Sequence, residues 1–136
     1  MRTVVALCLL ALTATGCGGA ARDSAKSFKG EEQKVAAVVE QLEKAARADK
    51  PGTVCTSLLS DTLLATLKKL GTTCTAGVKD AFADADSFDL TVDDVAITGD
   101  KATAKVASGT GSDEKTDTLE LQRAGTTWKI ASLRAS

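Results

Sequence analysis

The chain is expected to fold as one α+β domain, with N-terminal helices followed by a four-stranded antiparallel meander. Three observations carry that expectation. Apolar residues recur at three- and four-residue spacing from Glu31 to Phe82, they alternate from Phe88 onward, and turn-forming Gly, Asp or Pro residues separate the runs. Helical pattern first and a meander second is the α+β order. The 136 residues are 43% hydrophobic and 26% charged, which is a globular balance with room for one core. There is no internal repeat.

Each element has its own local reason. From Glu31 to Ala48, Val35, Val38, Val39, Leu42, Ala45 and Ala46 fall on one helical face. Asp49-Lys50-Pro51-Gly52 ends that helix, because Pro51 disfavours helical geometry at Lys50, and a short helix restarts near Thr53. Ser60 is placed to cap a further helix, with Leu63, Leu64, Leu67 and Leu70 as its buried stripe and Gly71 as its stop. A fourth helical piece presents Cys74, Val78, Ala81 and Phe82 on one side and dissolves at Asp84-Ala85-Asp86-Ser87. The first strand runs from Phe88 to Thr98, with Asp93-Asp94 marking a bulge or bend. Gly99-Asp100 turns into a second strand with Ala102, Ala104 and Val106 inward. The tip 108–115 leads to Leu119 and Leu121, and Ala124-Gly125 turns into Trp128, Ile130 and Leu133.

Arg2 followed by the apolar run Thr3 to Thr15 reads as a secretion signal, since the run is shorter than the ~20 residues that span a bilayer. Ala14-Thr15-Gly16-Cys17 resembles the bacterial lipobox, although Ala14 stands where Leu is commoner. The resemblance implies acylation of the Cys17 sulfur and cleavage before it. The expected division is a signal peptide over 1–16, a lipid anchor and flexible tether over 17–30, and a folded domain over 31–136. The expected place is the extracytoplasmic face of the cell membrane, held by the lipid on Cys17.

Cys8 leaves with the signal and Cys17 carries lipid, so Cys55 and Cys74 remain. Two cysteines in an exported chain point to one disulfide. A metal site or a reactive thiol is the alternative, and two Cys without His make a poor zinc site.

Four segments resemble the NTF2-like (SnoaL-like or ketosteroid-isomerase-like) family, in particular its small lipoprotein members. They are Ala46-Arg47-Ala48-Asp49, Cys55-Thr56-Ser57-Leu58-Leu59-Ser60 with Cys74, Ile97-Thr98-Gly99-Asp100-Lys101-Ala102, and Ala124-Gly125-Thr126-Thr127-Trp128-Lys129-Ile130. The resemblance implies N-terminal helices packed on a curved four-stranded antiparallel sheet, a cone enclosing an apolar cavity at its wide end. Such folds carry both enzymes and binders, so the side chains must decide.

The side chains argue against catalysis. The chain has no His and no Tyr, which removes imidazole bases, the Tyr of isomerase-type oxyanion holes and His metal ligands. Asp49, Asp84, Asp86 and Asp89 are the remaining candidate bases, all at helix ends or turns. Ser57 and Ser60 have no base to activate them. Gly109-Thr110-Gly111 lacks the helix and Lys-Ser/Thr of a phosphate loop, and Asp93-Asp94 and Asp84-x-Asp86 lack calcium-loop spacing. A net charge of −1 without a basic patch excludes nucleic acid. The expectation is a non-catalytic envelope lipoprotein without cofactor or metal, binding a small apolar ligand or a protein partner. Its candidate cavity lining is Val38, Leu42, Leu63, Leu67, Phe82, Phe88 and Trp128. The alternatives are a SnoaL-like enzyme with an Asp base and a structural or regulatory lipoprotein with a filled cone.

Overall fold

A computed structural model describes residues 23–135, with side chains through Ser132. Cys17 lies outside the described residues. Four helices precede a four-stranded antiparallel meander of order β1-β2-β3-β4, and the helices pack against the sheet.

Helix α1 (Gly30–Arg47) buries Val35, Val38, Val39, Ala45 and Ala46 as its period requires. Full burial of each valine contributes roughly 1.5–3 kcal/mol. Its C-terminus closes with Lys50 N–H donating to Ala45 O at 2.9 Å and Asp49 N–H to Ala46 O at 3.1 Å. Asp49 takes the left-handed position of this Schellman turn, at φ 49°. Pro51 then opens α2 (Pro51–Thr53), which continues as a π-helical turn over Val54–Leu58.

Ser60 caps α3 (Asp61–Lys69), its hydroxyl accepting from Leu63 N–H at 3.2 Å. Gly71, at φ +78°, ends it with a second Schellman turn. Thr73 caps α4 (Cys74–Asp84) through Ala76 N–H at 3.2 Å. The expected buried stripe of α3 needs correction, because neither α3 nor α4 buries any residue fully. Leu63, Leu64 and Leu67 are half-buried, and Leu70 is 74% exposed. Leu70 sits at the helix cap, where the Gly71 turn carries the chain away from the core.

Strand β1 (Leu90–Thr98) pairs with β2 (Lys101–Ser108), and their register shifts between Val92 and Asp94, the bulge that Asp93-Asp94 predicts. Strands β3 (Lys115–Ala124) and β4 (Thr127–Ala135) complete the meander. Opposite Glu120 and Leu121 a second irregularity inserts Ala131 in β4. Ser60 N–H donates to Ile130 O at 2.9 Å, pinning the helical layer to β4. In the tip between β2 and β3, Gly109 has φ +87°, and a Cβ there would lie 2.9 Å from Asp113 O. Only glycine fits without moving that backbone.

The packed domain begins earlier than 31. Ser24–Ser27 form a 3-10 turn against α1 and β1 with Ala25 buried. Ala25 N–H donates to Glu40 Oε1 at 2.8 Å, and the Ser24 hydroxyl accepts from Val92 N–H at 3.2 Å.

At the start of α1, Glu31 Oε2 accepts from Arg123 Nη1 and Trp128 Nε1, both at 2.9 Å, while Oε1 accepts from Lys34 Nζ at 2.6 Å. The Arg123 guanidinium covers the indole, 4.5 Å from its centroid. The Lys34 ammonium foremost, then the Trp128 and Arg123 donors, holds the Glu31 carboxyl down from its ordinary 4.5 to about 2. A depressed carboxyl stabilises the fold above its unfolded value and stops doing so as pH falls through its folded one. Glu31→Gln is therefore expected to be less stable than the native chain at neutral pH and to converge with it between pH 4.5 and 2. Urea unfolding across that range, followed by the single tryptophan, measures this. A constant gap down to pH 2 would contradict it.

Candidate functional site

The helical layer does not close onto the sheet everywhere. Helix α1 packs on β1, β2 and β4, whereas α4 packs on α2, α3 and the π-helical turn. Between α3, α4 and the sheet lies a cavity of about 540 Å³. Leu42 and Ala46 reach it from α1, Leu63 and Leu67 from α3, and Val78 and Phe82 from α4. The sheet supplies Leu90, Val106, Leu119 and Ile130. Phe82 meets Phe88 edge to face with ring centroids 5.8 Å apart, joining α4 to the segment that leads into β1. The half-burial of Leu63 and Leu67 in α3 and of Val78 and Phe82 in α4 follows directly, since they face this space instead of packed atoms.

Of the residues expected in the lining, Leu42, Leu63, Leu67, Phe82 and Phe88 surround the cavity. Val38 and Trp128 do not. Val38 is 7% exposed in the packed core. Trp128, 2% exposed, turns its indole N–H to Glu31 at the opposite end of α1 from Leu42 and Ala46.

The cavity opens between the Asp84–Phe88 segment and the β2–β3 tip, where Asp84, Asp86, Asp113, Lys115 and Asp117 contribute to its lining. Lys115 Nζ donates to Asp86 Oδ2 at 2.8 Å across this mouth. That bond, more than the bare charge, holds the Asp86 carboxyl below the usual range. It also raises the Lys115 ammonium, with Asp117 and Asp113 adding smaller pulls. Neither Asp113 nor Asp117 is among the acids that the sequence pattern singles out, and only Asp117 carries a signal that could have found it. Its signal is strand alternation, two positions before inward Leu119 and opposite buried Val106.

The other candidates have structural duties. Asp49 occupies its left-handed turn, and Asp89 pairs with Arg47. Ser60 is a cap, and the Ser57 carbonyl accepts from Lys129 Nζ. Arg47 also holds Glu43 Oε1 at 2.9 Å. Glu43 is fully buried, and its Oε2 has no hydrogen-bond partner among the described residues. Among those residues no group of three or more His, Cys, Asp or Glu is placed to hold a metal ion.

Cys55, in the π-helical turn, and Cys74, the first residue of α4, form a disulfide with Cα atoms 5.9 Å apart. The bond fastens α4 beside α2 and so fixes one wall of the cavity.

Comparison with known protein families, with curated proteins and with solved structures gives no match for this chain.

Proposed function

We propose that this is a lipid-anchored, extracytoplasmic protein whose NTF2-like domain binds a small apolar molecule without transforming it. The observation that carries the reading is the cavity of about 540 Å³ walled by aliphatic and aromatic side chains, a size and lining suited to a small organic ligand. The helices-then-meander order and the position of the cavity between sheet and helices support the cone-like assignment. The anchor rests on the lipobox-like Ala14-Thr15-Gly16-Cys17. Against catalysis stand the absence of His and Tyr from the sequence and the position of the cavity's carboxylates at its mouth, where Lys115 already holds Asp86.

N-phenyl-1-naphthylamine, a neutral apolar fluorophore, tests the reading. The native protein is expected to bind it saturably at one site. Val106→Phe directs a larger side chain from the sheet into the empty space, so it avoids the usual penalty of overpacking a filled core. It should weaken binding about tenfold, or roughly 1.4 kcal/mol, with melting temperature unchanged or raised. No saturable binding by the native chain, or equal binding by a folded Val106→Phe, would remove the proposal.

A further inference from the structure

The mouth of the cavity is charged predominantly with one sign. Asp84 and Asp86 come from the end of α4 and the segment after it, Asp113 from the turn before β3, and Asp117 from β3, facing a single ammonium, that of Lys115. The Asp86–Lys115 pair neutralises itself. Three carboxylates remain over the opening, and Glu114 adds a fourth in the polar hollow that continues outward past Ser112. Behind them the walls are apolar. Placed together, the two environments select for an apolar body with a charge of defined sign at one end.

We infer that the ligand is an amphiphilic cation: an apolar body seated in the cavity and a protonated amine or quaternary ammonium held at the mouth by Asp84, Asp113 and Asp117. This rests on the cavity being the binding site. A cation at the mouth keeps much of its hydration, so it escapes the large desolvation cost of a buried charge. It also gains attraction summed over several carboxylates, which salt reduces. An anionic amphiphile such as a fatty acid meets the same carboxylates as repulsion, and the ammonium that would receive it is already held by Asp86. A neutral alcohol gains and loses little at the mouth.

Isothermal titration of the disulfide-bonded protein with decylammonium, decanol and decanoate, all below their aggregation limits, separates apolar from charge recognition. Decylammonium should bind about tenfold more tightly than decanoate at low salt, with decanol between them. The gap should narrow at high salt and in Asp113→Asn/Asp117→Asn, which removes two charges at constant side-chain size. Equal binding of all three overturns the inference and leaves apolar binding standing, as does preference for decanoate. Binding of none of the three overturns the inference together with the cavity reading.

Discussion

Removing the Cys55–Cys74 bond, by reduction or as Cys55→Ala/Cys74→Ala, is expected to lower stability by about 3 kcal/mol and the melting temperature by on the order of 10 °C. The bond joins residues 19 apart in sequence, and opening a loop of that size returns to the unfolded chain the freedom the crosslink denied it. This domain depends on the crosslink more than most, because α3 lies entirely inside the loop, α4 begins at its end, and neither helix buries a residue fully. Calorimetry of native and doubly substituted chains gives the size of the effect, and melting temperatures within a degree or two of each other would contradict it. Hydrogen exchange gives its location. A crosslink that also fixes the cavity wall predicts faster exchange confined to α3 and α4, with α1 and the sheet unchanged. Uniform acceleration would place the whole effect in the unfolded ensemble, and the cavity would keep its affinity for an apolar probe.

What was legible in the sequence followed from periodicity and turn chemistry. The stripe of α1, the Ser60 cap, the Gly71 stop, the break at Asp93-Asp94 and the order of four strands all depend on neighbours a few residues away. What escaped depends on distant ones. Alternation and helical spacing say that Val38, Trp128, Leu63 and Leu67 turn inward, but not whether the space they meet is filled. That is decided by where α4 is held, which depends on a disulfide and on packing against α2. The docking of Ser24–Ser27 is similarly long-range. Its hydrogen-bond partners are Glu40 and the Val92 amide, 15 and 68 residues away, and a short run of small residues carries no local sign of either.

Cys17→Ala is expected to abolish incorporation of labelled palmitate and to move every molecule that has lost its leader from the membrane to the soluble fraction. On the lipoprotein reading, acyl chains on that sulfur supply ~0.8 kcal/mol per buried methylene, and no equivalent remains once the thiol is gone. Among the described residues no helix is long and apolar enough to cross a membrane. About seven residues separate Cys17 from Ser24, where the chain is already packed on α1 and β1, which limits the reach of the leash to at most ~25 Å. On the lipoprotein reading the domain should therefore work close to the bilayer surface. Cys17→Ala and Cys55→Ala/Cys74→Ala consequently predict opposite phenotypes: the first changes where the protein is found and leaves its melting temperature alone, the second does the reverse. Labelling that persists in Cys17→Ala, or melting that falls with it, would show that the sulfurs had been assigned to the wrong tasks.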